Sequence, residues 1–176
     1  MRKLKITELK RLSPSEFKET KKIPLVVVLD NVRSLHNVGS VFRTCDAFLV
    51  EAVYLCGITA TPPHVEIHKT ALGAEDSVAW KYFEKTLDAV EELKQQNYHI
   101  AAIEQAENSV YLEKLTLTGG KYAVIFGNEV KGIDQEVMNR CDSCIEIPQF
   151  GTKHSLNVSV AAGIIIWEIF KLVVSD

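Results

Sequence analysis

Three stretches of the chain carry side chains suited to chemistry, in spacings that ordinary core and turn patterning does not produce. In residues 30–48, Asn31, Asn37 and Gly39 interrupt regular structure ahead of a helix over residues 39–47 that carries Arg43. Residues 124–133 run from an apolar segment straight into Gly127-Asn128-Glu129. Residues 145–162 end a strand at Pro148, pass Gly151 and open a long helix through Ser155-Leu156-Asn157. Gly127 and Gly151 would let backbone approach a ligand closely. Three of these side chains have a purely structural alternative: Ser155 as a helix cap, Asn157 as the tie of a turn, and Glu129 as an acceptor of amides at a helix start.

Several familiar chemistries are excluded by what the spacing lacks. No G-x-G-x-x-G occurs, which removes the usual dinucleotide fingerprint. Gly127 and Gly132 supply half of a P-loop, but Ile133-Asp134 follow where Lys and Ser/Thr belong, so no cation would meet the β- and γ-phosphates. His64 and His68 are four apart with Glu66 between them, yet Pro62-Pro63 directly precede. They read as a helix N-terminus or plain surface, and no metal site is expected.

The elements that must position these stretches alternate. The segment at residues 24–29 is a continuous, Val-rich apolar run, the pattern of a strand buried on both faces of a parallel sheet. Further strands are expected at residues 52–55, 78–83, 99–103, 122–126 and 143–147, with helices at 86–96 and, less strongly patterned, at 39–47 and 132–140. The leader, residues 4–19, reads as helix, a turn near Ser13-Pro14, then more helix. Strands alternating with helices predict an α/β domain with a mostly parallel sheet and flanking helices. In such sheets ligands bind beyond the carboxyl ends of strands, where all three stretches fall. The helix at residues 158–174 is apolar nearly all round, so it must be covered on two sides: by its own sheet and, most simply, by a second subunit in a two-fold dimer. A central helix buried within one chain is the alternative.

The whole-chain quantities agree with one domain. The chain has 176 residues, 47% of them hydrophobic and 24% charged, enough to bury a core and too few in Gly and Pro for a disordered chain. Net charge is −3, but residues 1–22 hold eight basic against three acidic residues, and the remainder 12 against 20. A basic helical extension (1–22) on a main domain (23–176) suits an arm that meets an anionic polymer, and equally a solvated leader. The lone Cys141/Cys144 pair lacks a second pair or strand-to-helix context, so reduced thiols are expected. No apolar segment reaches the ~20 residues of a membrane span and no secretory signal opens the chain, so a soluble cytoplasmic protein is expected.

Taken together, N-x-G-x-x-x-R (Asn37, Gly39, Arg43), F-G-N-E-x-x-G (Phe126 to Gly132) and I-P-x-x-G followed by S-L-N-V-S-x-A-A (Ile147 to Ala162) resemble the three motifs of the SpoU (TrmH-type) branch of the SPOUT methyltransferases. Each motif alone is weak; three in order at strand ends are specific. The resemblance runs from about Leu25 to Phe170. It implies S-adenosyl-L-methionine-dependent RNA ribose 2′-O-methylation, a C-terminal trefoil knot despite the general absence of knots, and a homodimer. His36 stands where proline is more frequent in the family, and Gln149 where methionine is common.

Carried over residue by residue, the resemblance implies that Glu104, Gly127, Asn128, Ile147 and Leu156 hold adenosylmethionine. It makes Arg43, Asn37, Glu129, Ser155 and Asn157 the catalytic set. Arg43 matches the arginine thought to activate the 2′-hydroxyl, and in family dimers it can act across the interface. A guanidinium pKa above ~12 leaves almost no free base at neutral pH, which favours a phosphate clamp and stabiliser of a developing alkoxide. Asn37 would orient the nucleotide, while Glu129, Ser155 and Asn157 shape the pocket. Transfer RNA is the favoured substrate because no large RNA-binding domain is appended; ribosomal RNA is the alternative. Phosphates would meet the leader, Arg33, Arg43, Lys131 and Lys153. A non-catalytic RNA-binding protein and a nucleotide enzyme outside RNA are the competing classes.

Overall fold

The computed structural model describes residues 1–174, apart from the Ile6 side chain; Ser175 and Asp176 of the expected main domain lie outside the described residues. Seven parallel strands form one sheet: β1 (Ile23–Asp30), β2 (Val50–Cys56), β3 (Ala79–Phe83), β4 (Tyr98–Ile103), β5 (Val110–Tyr111), β6 (Lys121–Phe126) and β7 (Ser143–Glu146). Their order is β3-β2-β1-β6-β4-β7-β5. Helices α1 (Pro14–Glu19), α2 (Leu35–Ala47), α3 (Val65–Ala71), α4 (Ala74–Ser77), α5 (Thr86–Gln95), α6 (Gln135–Met138) and α7 (Val158–Val174) surround it.

Alternation along β1 explains its continuous apolar run. Leu25, Val27 and Leu29 enter one core with Val38 and Phe42 of α2 and Ile165, Ile166 and Ile169 of α7. Val26 and Val28 point the other way, into a second core with Ala89, Val90 and Leu93 of α5 and Val137 of α6. A strand between two helical layers has no solvent face, so every residue is apolar until Asp30. Each such fully buried Val or Leu contributes about 1.5–3 kcal/mol.

Several elements differ from expectation for local reasons. The leader's first part is a single 3-10 turn, Ile6–Glu8, before a helix that begins at Pro14 under a Ser13/Glu16 capping box. Helix α1 is anchored by Phe17, which is buried in the first core. Helix α2 starts at Leu35, with Ser34 as its cap, so Asn37 and Gly39 lie inside it and do not interrupt it. The helix expected over residues 132–140 shrinks to α6, because Gly132 has φ +70 and a loop runs to the capping Asp134. Strand β5 and helix α4 carry too little pattern to have been expected, whereas α3 begins where His64 and His68 were read as a helix N-terminus or surface. His64 caps α3, its Nδ1 accepting from the Glu66 amide at 3.1 Å.

Helix α7 buries Val158, Ala162, Ile165, Ile166 and Ile169, while Val160, Ile164 and Trp167 on its other side are 51%, 37% and 48% exposed. Trp167 and Phe170 pack tilted against Phe48 at the end of α2, with ring centroids 5.5 and 5.3 Å away. Half of the all-round apolar surface is thus covered by the sheet and half is open within one chain. All four thiols are free, Cys45 and Cys56 within the cores. No helix among the described residues is long and apolar enough to cross a membrane.

Candidate active site

The carboxyl ends of β4, β6 and β7 open into a cavity of about 560 Å³. Ile103, Phe126, Ile147, Val158 and Ala161 give it apolar walls, and Glu104, Gly127, Asn128, Glu129, Ser155, Leu156 and Asn157 the rest. Eight of the ten site residues expected from the sequence therefore line one space, and a ninth, Asn37, is hydrogen-bonded to two of them.

The three motifs are joined at its mouth by hydrogen bonds. Glu129 Oε1 accepts from the Ser34 amide at 2.9 Å and from Asn37 Nδ2 at 3.2 Å, and its Oε2 accepts from the Arg33 amide at 3.0 Å. Asn157 Nδ2 donates to Asn37 Oδ1 at 3.1 Å. Glu129 thus places an anion at the start of α2, where the unpaired amides and helix dipole favour one. Burial pushes its carboxyl up, but the amides of Arg33, Ser34 and Glu129 itself and the Asn37 carboxamide outweigh that and hold it below its ordinary value. Asn37 is 8% exposed and spends its side chain between Glu129 and Asn157, so it holds the loops together.

Asn157, not Ser155, is the cap of α7: its Oδ1 accepts from the Ser159 amide at 2.9 Å. Ser155 and Leu156 make no hydrogen bond within the described residues and face the cavity. Asn128 is tied inward, its Nδ2 donating to the Asn31 carbonyl at 2.8 Å and its Oδ1 accepting from the Val130 amide at 2.9 Å. Gly127 is required by the chain's own loop, since a Cβ there would lie 2.3 Å from the Gly132 carbonyl carbon and 2.4 Å from the Ile133 nitrogen. The close approach expected at Gly127 is therefore loop against strand. Gly151 has nothing within 4 Å of a built Cβ.

Gln105 was not singled out from the sequence. Its Nε2 donates to the His154 carbonyl at 2.7 Å, tying the β4 end to the third motif's loop. Its position directly after Glu104 at a strand end was the only available signal.

The cavity suits adenosylmethionine by its donor set. Apolar walls accept an adenine plane, the unspent backbone groups of Ser155 and Leu156 can meet its edge, and the Glu104 carboxylate lies at the rim beside Gly132. No cluster of metal ligands occurs among the described residues.

Arg43 is brought neither to the cavity nor to the relay at its mouth. It is exposed on α2 and lines a separate depression of about 470 Å³ with Ser40, Thr44, Ala47, Phe48, Lys69 and Thr70.

An all-parallel open sheet with its ligand crevice at strand ends, walled by three interlocked loops, defines an α/β ligand-binding domain of the doubly wound kind. The sequence matches the SpoU rRNA Methylase family over residues 24–167. The chain belongs to that family. It is 35% identical over 163 residues to the tRNA (guanosine(18)-2′-O)-methyltransferase of Aquifex aeolicus (strain VF5), covering 91% of this chain and 74% of that one. It is 33% identical over 146 residues to the 23S rRNA (guanosine-2′-O-)-methyltransferase RlmB of Vibrio parahaemolyticus, covering 82% of this chain and 58% of that one. An AdoMet-bound rRNA methyltransferase structure from Sinorhizobium meliloti superposes with TM-score 0.80 at 26% identity, over 92% of this chain and 61% of that one. The chain thus spans about three fifths of the length of these two rRNA relatives.

Proposed function

We propose that this chain transfers a methyl group from S-adenosyl-L-methionine to a ribose 2′-hydroxyl of RNA, with tRNA as the substrate. The observation that carries the reading is the Glu129–Asn37–Asn157 relay, which gathers all three motifs at the mouth of one cavity fitted to the cofactor. The Aquifex relative, of which the chain covers the larger share, is named for a tRNA substrate. The RlmB relatives favour a second reading, 23S rRNA, by the same chemistry.

When bound, adenosylmethionine supplies a methyl on a sulfonium. The RNA 2′-hydroxyl would accept that methyl, its proton going to a phosphate oxygen or to water. Glu104, Gly127, Asn128, Ile147 and Leu156 hold the cofactor. Asn37, Glu129, Ser155 and Asn157 fix the loops around the reacting atoms. Arg43, permanently cationic, clamps phosphate and stabilises the developing alkoxide.

Because Arg43 lies outside the cavity of its own chain, the reading includes a homodimer through α7 in which Arg43 meets the partner's cavity. The open α7 face and Phe48, which also lines the Arg43 depression, support it. The reading also includes the trefoil knot, for which the insertion of β7 between β4 and β5 speaks. Residues 1–22 act as a basic extension that meets RNA, and the protein works in the cytoplasm.

Labelled methyl transfer to bulk tRNA and, separately, rRNA from cells lacking this gene, followed by digestion to nucleosides, tests the proposal. Ribose label in tRNA is the expected outcome. Ribose label confined to rRNA keeps the chemistry and replaces the substrate; absence of adenosylmethionine binding removes the enzyme reading.

A further inference from the structure

The depression around Arg43 adds to that residue donors that the methyl transfer does not account for. Its walls are α2, through Ser40, Arg43, Thr44 and Ala47, the following Phe48, and α3, through Lys69 and Thr70. None of these residues lines the cofactor cavity. Two of its three hydroxyls are spent: Thr44 Oγ1 donates to the Ser40 carbonyl at 3.0 Å and Thr70 Oγ1 to the His36 carbonyl at 2.9 Å. The Ser40 hydroxyl and the Arg43 guanidinium make no hydrogen bond or ion pair among the described residues. Lys69 gives one of its three donors to Glu66, at 2.6 Å, with its side chain 59% exposed. Glu66 in turn shares its other oxygen with His36 at 3.0 Å.

The juxtaposition of the two cations is built into the helix pair. A Cβ on Gly39 would lie 2.2 Å from Thr70 Oγ1 and 2.3 Å from the Ile67 carbonyl, so only glycine lets α3 come this close. Arg43 follows Gly39 by one turn on the same face of α2, and Lys69 lies between Ile67 and Thr70 on α3. A guanidinium fork, an ammonium and a free hydroxyl around one hollow match the oxygens of a phosphodiester.

We propose that this depression binds a backbone phosphate of the RNA next to the methylated ribose, with Lys69 as the second cation beside Arg43 and Ser40 as the hydroxyl donor. The inference rests on the RNA reading above and adds to it a positioning residue on α3. Lys69 exchanges its exposed bond to Glu66, worth little in water, for the phosphate.

The test is the salt dependence of bulk tRNA binding to the full chain, measured without cofactor, alongside kinetics of methyl transfer. Lys69→Ala is expected to flatten the slope of log affinity against log salt by about one, as loss of one phosphate contact does. KM for RNA should rise roughly tenfold with kcat nearly unchanged, and Lys69→Arg should restore most of it. Adenosylmethionine affinity should stay at the wild-type value. Lys94→Ala, on the opposite face of the sheet, should move neither slope nor KM. An unchanged slope and KM in Lys69→Ala, or an equal loss in Lys94→Ala, overturns the assignment. Displacement of RNA by sub-millimolar inorganic phosphate at constant ionic strength would reassign the hollow to a free anion and also overturn it. A wild-type chain that binds RNA with a Lys69-dependent slope yet transfers no methyl would keep this inference and remove the enzyme reading.

Discussion

A carboxylate in this protein does the work usually given to a helix's own cap residue. Glu129, 95 residues from Ser34 in sequence, accepts the Ser34 and Arg33 amides and so binds the second motif to the start of α2. Since its pKa is lowered on folding, the sign follows. The stabilisation is complete above the unfolded carboxylate pKa of ~4.3 and disappears as pH falls through the lower folded value. Glu129→Gln should therefore melt below wild type at pH 7, by about 1 kcal/mol or a few degrees, and the two curves should converge on acidification below pH ~4. A gap in melting temperature independent of pH would show that packing, not charge, holds the loop. The types of the site residues were legible in the sequence; their partners were not. Which of Ser155 and Asn157 caps α7 depends on a helix boundary two residues away, and the crowding at Gly127 comes from a loop that linear spacing does not bring near.

At the scale of elements, the same gap between pattern and contact recurs at Gly39. Read locally, a glycine after two asparagines interrupts structure; in the fold it sits inside α2, where it costs roughly 0.5–1 kcal/mol relative to alanine in an isolated helix. Contact with α3 reverses that preference. Gly39→Ala should destabilise by about 2 kcal/mol or more, some 4–8 °C in melting temperature, because its Cβ meets the Ile67 carbonyl, a backbone atom that cannot rotate away. A variant as stable as wild type would mean that α3 shifts freely, and RNA affinity should then report the displaced Lys69. Elements with a long or fully buried pattern, β1, β6, α5 and α7, were read to within a residue or two. The two-residue β5, the four-residue α6 and α3 were not. Strand β5 exists because β7 completes its hydrogen bonds, and no window of sequence contains that neighbour, whereas α6 and α3 are short helices capped locally by Asp134 and His64.

Across the whole molecule, the proposal that Arg43 serves the cavity of a second chain follows from its separation from its own, and mixing subunits tests it directly. Trp167→Glu puts a charge into the open α7 face beside Phe48 and Phe170 and should yield a monomer in sedimentation, with methyl transfer lost and adenosylmethionine still bound. That result alone leaves cis and trans action unseparated. An Arg43→Ala chain keeps a sound cavity, and a Gly127→Val chain keeps its arginine while its side chain displaces the Gly132–Ile133 backbone that closes the cavity. Neither homodimer should transfer methyl. In a two-fold pair joining one of each, the cavity of the first faces the arginine of the second, so one of two sites is whole. Random reassortment should then recover about a quarter of wild-type activity per subunit. Recovery at that level fixes Arg43 as a residue supplied by the partner. No recovery, with mixed dimers demonstrated by mass, would instead require α2 to move about the sheet until Arg43 reached its own cavity, against the packing of Val38, Val41 and Phe42, all of them fully buried.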